Sequence, residues 1–290
     1  MIIRIPGSSA NLGPGFDCFG IGWQVYNHME FLPSKTLKIS GCPEEFQNED
    51  NLAYQGYKSV LDYAGIENKA VEIKFLDCAI PVSRGLGSSA ALIVGGAVAA
   101  NEMFDLKLSK QQLLEISTPV EGHPDNIAPS VYGGFTLSVM DGEKVISIPC
   151  PVSDKLYFTA LIPDFKLSTE LSRSVLPQSY AKADAVFNLS RASLLVKALE
   201  IGDTELVACG MNDKIHQPYR TELIDGYPKA KALAESAGAC AVCISGAGPT
   251  MLCVSDKADF FEKLSPLMAE EFPGWKVIPL LIDNEGAVKV

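Results

Sequence analysis

Long apolar runs, basic charge and paired cysteines are all scarce in this 290-residue chain, and each shortage removes a class of function. The longest apolar stretch, Ala90 to Ala100, is too short for a bilayer and is closed by Asn101 and Glu102. The opening Met1-Ile-Ile-Arg-Ile-Pro6 lacks the basic and apolar regions of a secretory signal. Lysine and arginine number 24 against 35 aspartates and glutamates, a formal net charge of −11. That sign repels phosphate backbones and anionic lipid, so neither nucleic acid nor a membrane is expected as a main partner. The eight cysteines are scattered, and their one close pair, Cys240 and Cys243, sits in the alternating apolar run 239–244. That run reads as a buried strand, so packing is favoured over zinc or redox chemistry, and reduced thiols point to a cytoplasmic protein. Internal repeats and low-complexity tracts are missing too.

What is present is enough for a large core: 47% hydrophobic and 20% charged residues. At about 150 residues per domain the length allows two domains. Strand-like runs cover 2–5, 19–26, 37–40 and 71–76, and helical spacing covers 52–64, 110–117 (with a Ser109–Gln112 capping box) and 127–131. An almost wholly apolar helix spans 90 to about 104, and two strands at 135–140 and 144–148 finish the first half. Two prolines in 149–154 mark a boundary, which gives an N-terminal domain over 1–150 and a C-terminal one over 151–290. The second half reads as strands at 157–162, 240–245, 250–254 and 276–281, with helices at 183–200, 204–212, 227–237 and 256–272. Without regular βαβ alternation, the class is α+β rather than a doubly wound parallel sheet.

The strongest local signal is the turn from Pro81 to Ala91, with Gly85 and Gly87 one residue apart and Ser88 and Ser89 opening the apolar helix. Glycines let backbone approach a ligand, and a helix start offers free amides and the positive end of its dipole, so the turn suits an anion. Arg84 adds a cation. A dinucleotide fold would need an acidic residue after a second strand about 20 positions on, where this chain has a connector. A Walker loop would need GxxxxGK, and a nucleophile elbow GxSxG; neither string occurs. The second cluster, Glu121-Gly-His-Pro-Asp-Asn126, suits a metal or acid–base site, or a polar turn in which Asp125 or Asn126 caps the next helix. A phosphate loop calls for a divalent cation with a carboxylate from elsewhere, and Glu121 is the candidate.

These segments together resemble the GHMP kinase superfamily. Residues 81–91 match its PxxxGLGSSAA phosphate motif, and 243–250 match its third motif, a glycine turn between two strands. The first motif, PGSSANLGPGFDCFG over 6–20, is similar to that of the branch that phosphorylates L-homoserine; further matches lie at 121–129, 168–177 and 213–220. The resemblance implies an N-terminal domain like domain 2 of ribosomal protein S5 and a ferredoxin-like C-terminal domain. It implies ATP-dependent phosphorylation of the homoserine hydroxyl on the route to threonine, with ATP as co-substrate, Mg²⁺, and a homodimer. Carried over by position, ATP would contact Asn51, Pro81, Val82, Ser83, Arg84, Gly85, Leu86, Gly87, Ser88, Ser89, Ala90 and Ala91. Ser89 and Glu121 would hold Mg²⁺. The amino alcohol would meet Asn11 and Asp17 through its ammonium, and Arg173 and Arg220 through its carboxylate, with His123, Asn126 and Gly246 nearby. Ser89, Glu121, Asn126 and Arg173 form the implied catalytic set. Asn126 stands where some members carry an aspartate base, and an amide takes no proton at neutral pH. The loose transition state of phosphoryl transfer tolerates that absence. His123 is left with two readings, a base or an orienting group. A sister kinase for another alcohol and a silent nucleotide-binding relative are the competing functions.

Overall fold

The computed structural model describes residues 1–67, 69–142 and 144–290. Its first sheet is built on β1 (Ile2–Ala10) and β2 (Phe19–Pro33), an antiparallel pair. Both strands outrun their apolar alternation. Pro6-Gly-Ser-Ser-Ala10 has little strand propensity, yet a bulge between Pro6 and Gly7 lets Gly7–Ala10 pair with the residues from Trp23 back to Gly20. Fully buried Met29 and Phe31 carry β2 on to Pro33. β3 (Lys38–Ser40) lies parallel on β4 (Val71–Cys78), which pairs with the second half of β2. β5 (Phe135–Asp141) pairs with the start of β2 and with β6 (Lys144–Cys150).

Four helices serve this sheet: α1 (Leu52–Tyr63), α2 (Ser88–Met103), α3 (Lys110–Glu121) and α4 (Pro124–Tyr132). α2 is the helix read as apolar on every face; it lies on β1, packs against α1, α3 and α4, and is buried from Ala90 to Asn101 except at Leu92. Its small residues allow a close crossing with α1. A Cβ on Gly96 would fall 1.8 Å from Ala53 O, and one on Gly56 2.0 Å from Ile93 O. The capping box at Ser109 starts α3 as expected, but the helix runs past Ser117, through an internal Pro119, to Glu121.

The second sheet holds β7 (Tyr157–Ile162), β8 (Ala241–Ile244), β9 (Met251–Ser255) and β10 (Lys276–Leu280), antiparallel in the order β10-β7-β9-β8. Around it run α5 (Thr169–Ser174), α6 (Lys182–Ile201), α7 (Thr204–Gly210), α8 (Gln217–Arg220), α9 (Tyr227–Ala237) and α10 (Phe260–Glu271). α5 and α8, of six and four residues, are too short for a periodic signal. Cys243 is buried in β8, where burial pushes its thiol up to about 12, in keeping with a packing role. After β10 the chain returns to the first sheet, through a Trp23–Ile282 bridge and β11 (Val288–Lys289) on β1. Helices and sheets alternate irregularly, so the α+β class holds. Among the described residues no helix is long and apolar enough to cross a membrane.

Candidate active site

Three segments meet at the start of α2. Gly87 caps that helix at φ +69, where a Cβ would lie 2.0 Å from Ser8 Oγ; glycine takes this left-handed conformation without cost and leaves room for β1 to come so near. Ser8 N donates to Leu86 O at 3.1 Å, and Thr250 N donates to Arg84 O at 3.2 Å. The glycine turn is thus held between the β1 bulge and the β8–β9 turn, and above it opens a cavity of about 620 Å³. Asn51, Val82, Ser83, Arg84, Gly85, Gly87, Ser88 and Ser89 line it, while Leu86, Ala90 and Ala91 are buried beneath and Pro81 is not in its wall.

At the helix start, Ser89 Oγ donates to Glu121 Oε2 at 2.5 Å, joining the first turn of α2 to the last residue of α3. Burial raises the Glu121 carboxyl, and the Ser89 hydroxyl and the His123 and Arg173 charges offset that only in part. A half-buried carboxylate beside a hydroxyl at the start of α2 is a hard oxygen pair that fits a divalent cation such as Mg²⁺. Two residues on, His123 Nδ1 sits 2.7 Å from Asp125 Oδ1, with Asp125 buried. Burial pulls the imidazole down, but the hydrogen bond and the charges of Asp125 and Glu121 outweigh it and raise His123. A raised, acid-paired imidazole favours the cation, which opposes the base reading. Asn126 Oδ1 accepts from Ser8 Oγ at 2.8 Å.

The charges assigned to an amino acid gather around the same cavity. Arg173 grips Asp17 with both Nη atoms, at 2.6 and 3.2 Å, although 156 residues separate them. Asp17 N donates to Asn11 Oδ1, and Asn11 Nδ2 donates to Gly246 O at 2.9 Å. Arg220 is buried: its Nε donates to Ser172 O at 3.0 Å and its Nη1 to Gly246 O at 3.1 Å. Burial first, then Arg173, lower this guanidinium to about 10. The Phe16 ring touches both guanidinium groups, at 5.4 Å for Arg173 and 5.1 Å for Arg220. Asn11, His123, Asn126, Arg173, Arg220 and Gly246 line the cavity; Asp17 stands behind this wall, bound to Arg173.

Two assignments look different in three dimensions. Arg84 Nε and Nη2 donate to the carbonyls of Pro163 and Asp164, so this arginine ties loops together instead of standing free. Asn51 is the cap of α1, accepting from Ala53 N and donating to Phe46 O; it borders an apolar chamber with Phe46 and Phe75, apt for a flat base. Residue-by-residue reading also passed over Phe16, Ser8 and His216. His216 is fully buried, with Nε2 2.7 Å from Gly13 O and Nδ1 3.4 Å from Arg220 Nη1; burial keeps its imidazole low, hence neutral. The string at 213–220 was the available signal, because it joins His216 to Arg220 across one helical turn.

Comparison with known proteins gives this geometry its class. The model of the GHMP kinases N terminal domain matches residues 51–134, and that of the GHMP kinases C terminal domain matches 195–271. The chain belongs to the GHMP kinase family and has its two-domain fold; it is a kinase, and ATP is its co-substrate. Curated relatives named homoserine kinase match it over nearly its full length. It is 42% identical to the homoserine kinase of Clostridium beijerinckii over 98% of this chain and 97% of that one. To the homoserine kinase of a Clostridium botulinum strain it is 39% identical over 99% and 98%. The crystal structure of homoserine kinase from Cytophaga hutchinsonii superposes with a TM-score of 0.88 at 29% identity, covering 99% of this chain and 96% of that one. The mevalonate kinase of L. major, solved with R-mevalonate, shares the fold at a TM-score of 0.76 and 15% identity, with 98% and 96% covered.

Proposed function

We propose that this kinase transfers the γ-phosphoryl group of ATP to the side-chain hydroxyl of L-homoserine, giving ADP and O-phospho-L-homoserine, a step of threonine biosynthesis. Full-length likeness to homoserine kinases supports the substrate. One structural observation carries the reading: a single cavity is bordered both by the glycine turn with its Ser89–Glu121 pair and by the Arg173 and Arg220 guanidinium groups, with Asp17 bound to Arg173. An α-amino acid head is a zwitterion, and the Asp17–Arg173 pair presents the complementary two charges side by side. On substrate entry the ammonium turns to Asp17 and Asn11, while the carboxylate takes N–H groups of Arg173 and Arg220.

In the reaction the homoserine oxygen attacks the γ-phosphorus, the bond to the ADP oxygen breaks, and the hydroxyl proton leaves to solvent or a phosphoryl oxygen. Neither of the two candidate groups is suited to take that proton: Asn126 is an amide, and His123 is already bound to the Asp125 carboxylate, which with Glu121 raises its imidazole. Catalysis then rests on alignment and on charge stabilisation by the amides that open α2. Ser89 and Glu121 would hold Mg²⁺, which neutralises phosphate charge when bound. A homodimer and a cytoplasmic location belong to the same reading; the eight free cysteines support the latter. A coupled ADP-release assay with L-homoserine, mevalonate and galactose offered in turn tests it. Turnover with homoserine alone is expected, and equal or faster turnover with another alcohol would contradict it.

A further inference from the structure

Four lysine and arginine side chains border the cavity, and three make contacts within the protein: Arg84 with two carbonyls, though its Nη1 is left without a partner, Arg173 with Asp17, and Arg220 with Ser172 and Gly246. The fourth is Lys166, exposed on the connection between β7 and α5, and among the described residues of the wall it is the one cation with no hydrogen-bond or ion-pair partner. Its neighbours fix where it stands. Phe165 packs on the second core cluster and Leu167 is buried in it, so Lys166 between them is turned the other way, to the open side. The connection is also stapled to the glycine turn on both flanks. Arg84 holds the carbonyls of Pro163 and Asp164, and Leu167 N donates to Ser83 O at 3.2 Å. A Cβ on Gly248, in the facing turn, would touch Leu167 at 3.5 Å. An unpaired ammonium is thereby carried beside the anion-binding end of α2, in a wall that also presents Glu45, Asp50, Glu121 and Asp125 and in a chain of net charge −11.

We propose that Lys166 is a phosphate-binding residue of the kinase reaction, its ammonium meeting the triphosphate of ATP across from the glycine turn. The inference rests on the kinase reading, and specifies which cation offsets the charge ATP brings into a wall with four carboxylates. A lysine suits the task as a mobile point charge that can follow the phosphoryl group as it moves.

The test is isothermal titration of ATP and of AMP, each with Mg²⁺, into the wild type, Lys166→Met and Lys166→Arg, with steady-state rates alongside. Loss of one charge-assisted contact predicts ATP affinity lower by about 10- to 100-fold in Lys166→Met. AMP binding should stay within twofold, kcat should fall, KM for homoserine should be unchanged, and Lys166→Arg should recover part of the loss. Equal losses for ATP and AMP would mark a structural role and overturn the proposal. So would wild-type ATP binding and turnover in Lys166→Met, or a rise in KM for homoserine alone. Lys166→Gln gives the same contrast should the methionine variant not fold. Wild-type protein that releases no ADP with homoserine would end the homoserine reading, while the ATP-against-AMP contrast would still decide the role of Lys166.

Discussion

Replacing Arg220 by methionine separates substrate recognition from fold stability. The guanidinium gives Nε to Ser172 O at 3.0 Å and Nη1 to Gly246 O at 3.1 Å, and it lines the cavity. In the variant Gly246 O keeps its bond from Asn11 Nδ2, whereas Ser172 O loses its side-chain donor. An orphaned carbonyl costs about 1–3 kcal/mol. Against that, the change removes a buried cation which burial and Arg173 have already pushed down to about 10, and apolar replacement of buried charge is often neutral or stabilising. The two effects oppose, so net stability should move by no more than about 2 kcal/mol, read as a urea midpoint. Binding has no such offset. A carboxylate deprived of a charge-assisted contact loses about 3 kcal/mol, or roughly a hundredfold in KM for homoserine. KM for ATP should stay within about threefold, since the role proposed for Arg220 is with the amino-acid carboxylate. Initial rates with each substrate varied in turn supply both constants. An equal rise in both KM values, or an unchanged homoserine KM in a folded variant, would refute the assignment of Arg220.

Three other perturbations probe the remaining contacts. Glu121→Gln keeps an acceptor for Ser89 Oγ but removes the charge, so it should fold normally while turnover falls by about 100-fold or more and the Mg²⁺ requirement rises; near-normal rates would take Glu121 out of the metal role. Asp125→Asn tests the acid-paired imidazole through pH. His123 is raised in the folded protein, so its stabilisation is fully present below the unfolded value near 6.5 and fades as pH rises through the folded value. The wild-type advantage over Asp125→Asn in urea, about 1–2 kcal/mol at pH 6, should therefore shrink by pH 9, and a gap that widens with pH would contradict the pairing. Gly87→Ala sets a side chain at φ +69 with its Cβ 2.0 Å from Ser8 Oγ, so stability should drop by about 2 kcal/mol and ATP binding weaken further; unchanged ATP affinity would show that the turn does not hold phosphate.

Much of this site can be read in the sequence because its chemistry is local. The glycine-serine turn and its apolar helix announce themselves through composition, and α2 begins at Ser88, within two residues of the expected start. The same holds for the Ser109–Gln112 capping box and for Glu121, whose closeness to Ser89 follows from the two helices being neighbours. What escapes is set by tertiary contact. β1 passes through Pro6 to Ala10 only because β2 pairs with it across a bulge, a partnership no local propensity encodes. Asp17 and Arg173 were assigned to opposite ends of the substrate, whereas the fold joins them in one bidentate pair. Arg84 shows another tertiary effect: a cation in the phosphate motif also binds the carbonyls of Pro163 and Asp164, while Lys166, an exposed lysine of the same cavity wall, lies in a connection without motif character.

The central claim is that one cavity brings a nucleotide's terminal phosphate onto the hydroxyl of a bound amino alcohol. Phosphorus NMR of purified protein with ATP, Mg²⁺ and L-homoserine tests it most directly. The account predicts a new phosphate-monoester resonance that grows in step with ADP and disappears from the reaction when homoserine is omitted. ADP accompanied only by inorganic phosphate, or no change in the ATP resonances, would contradict it.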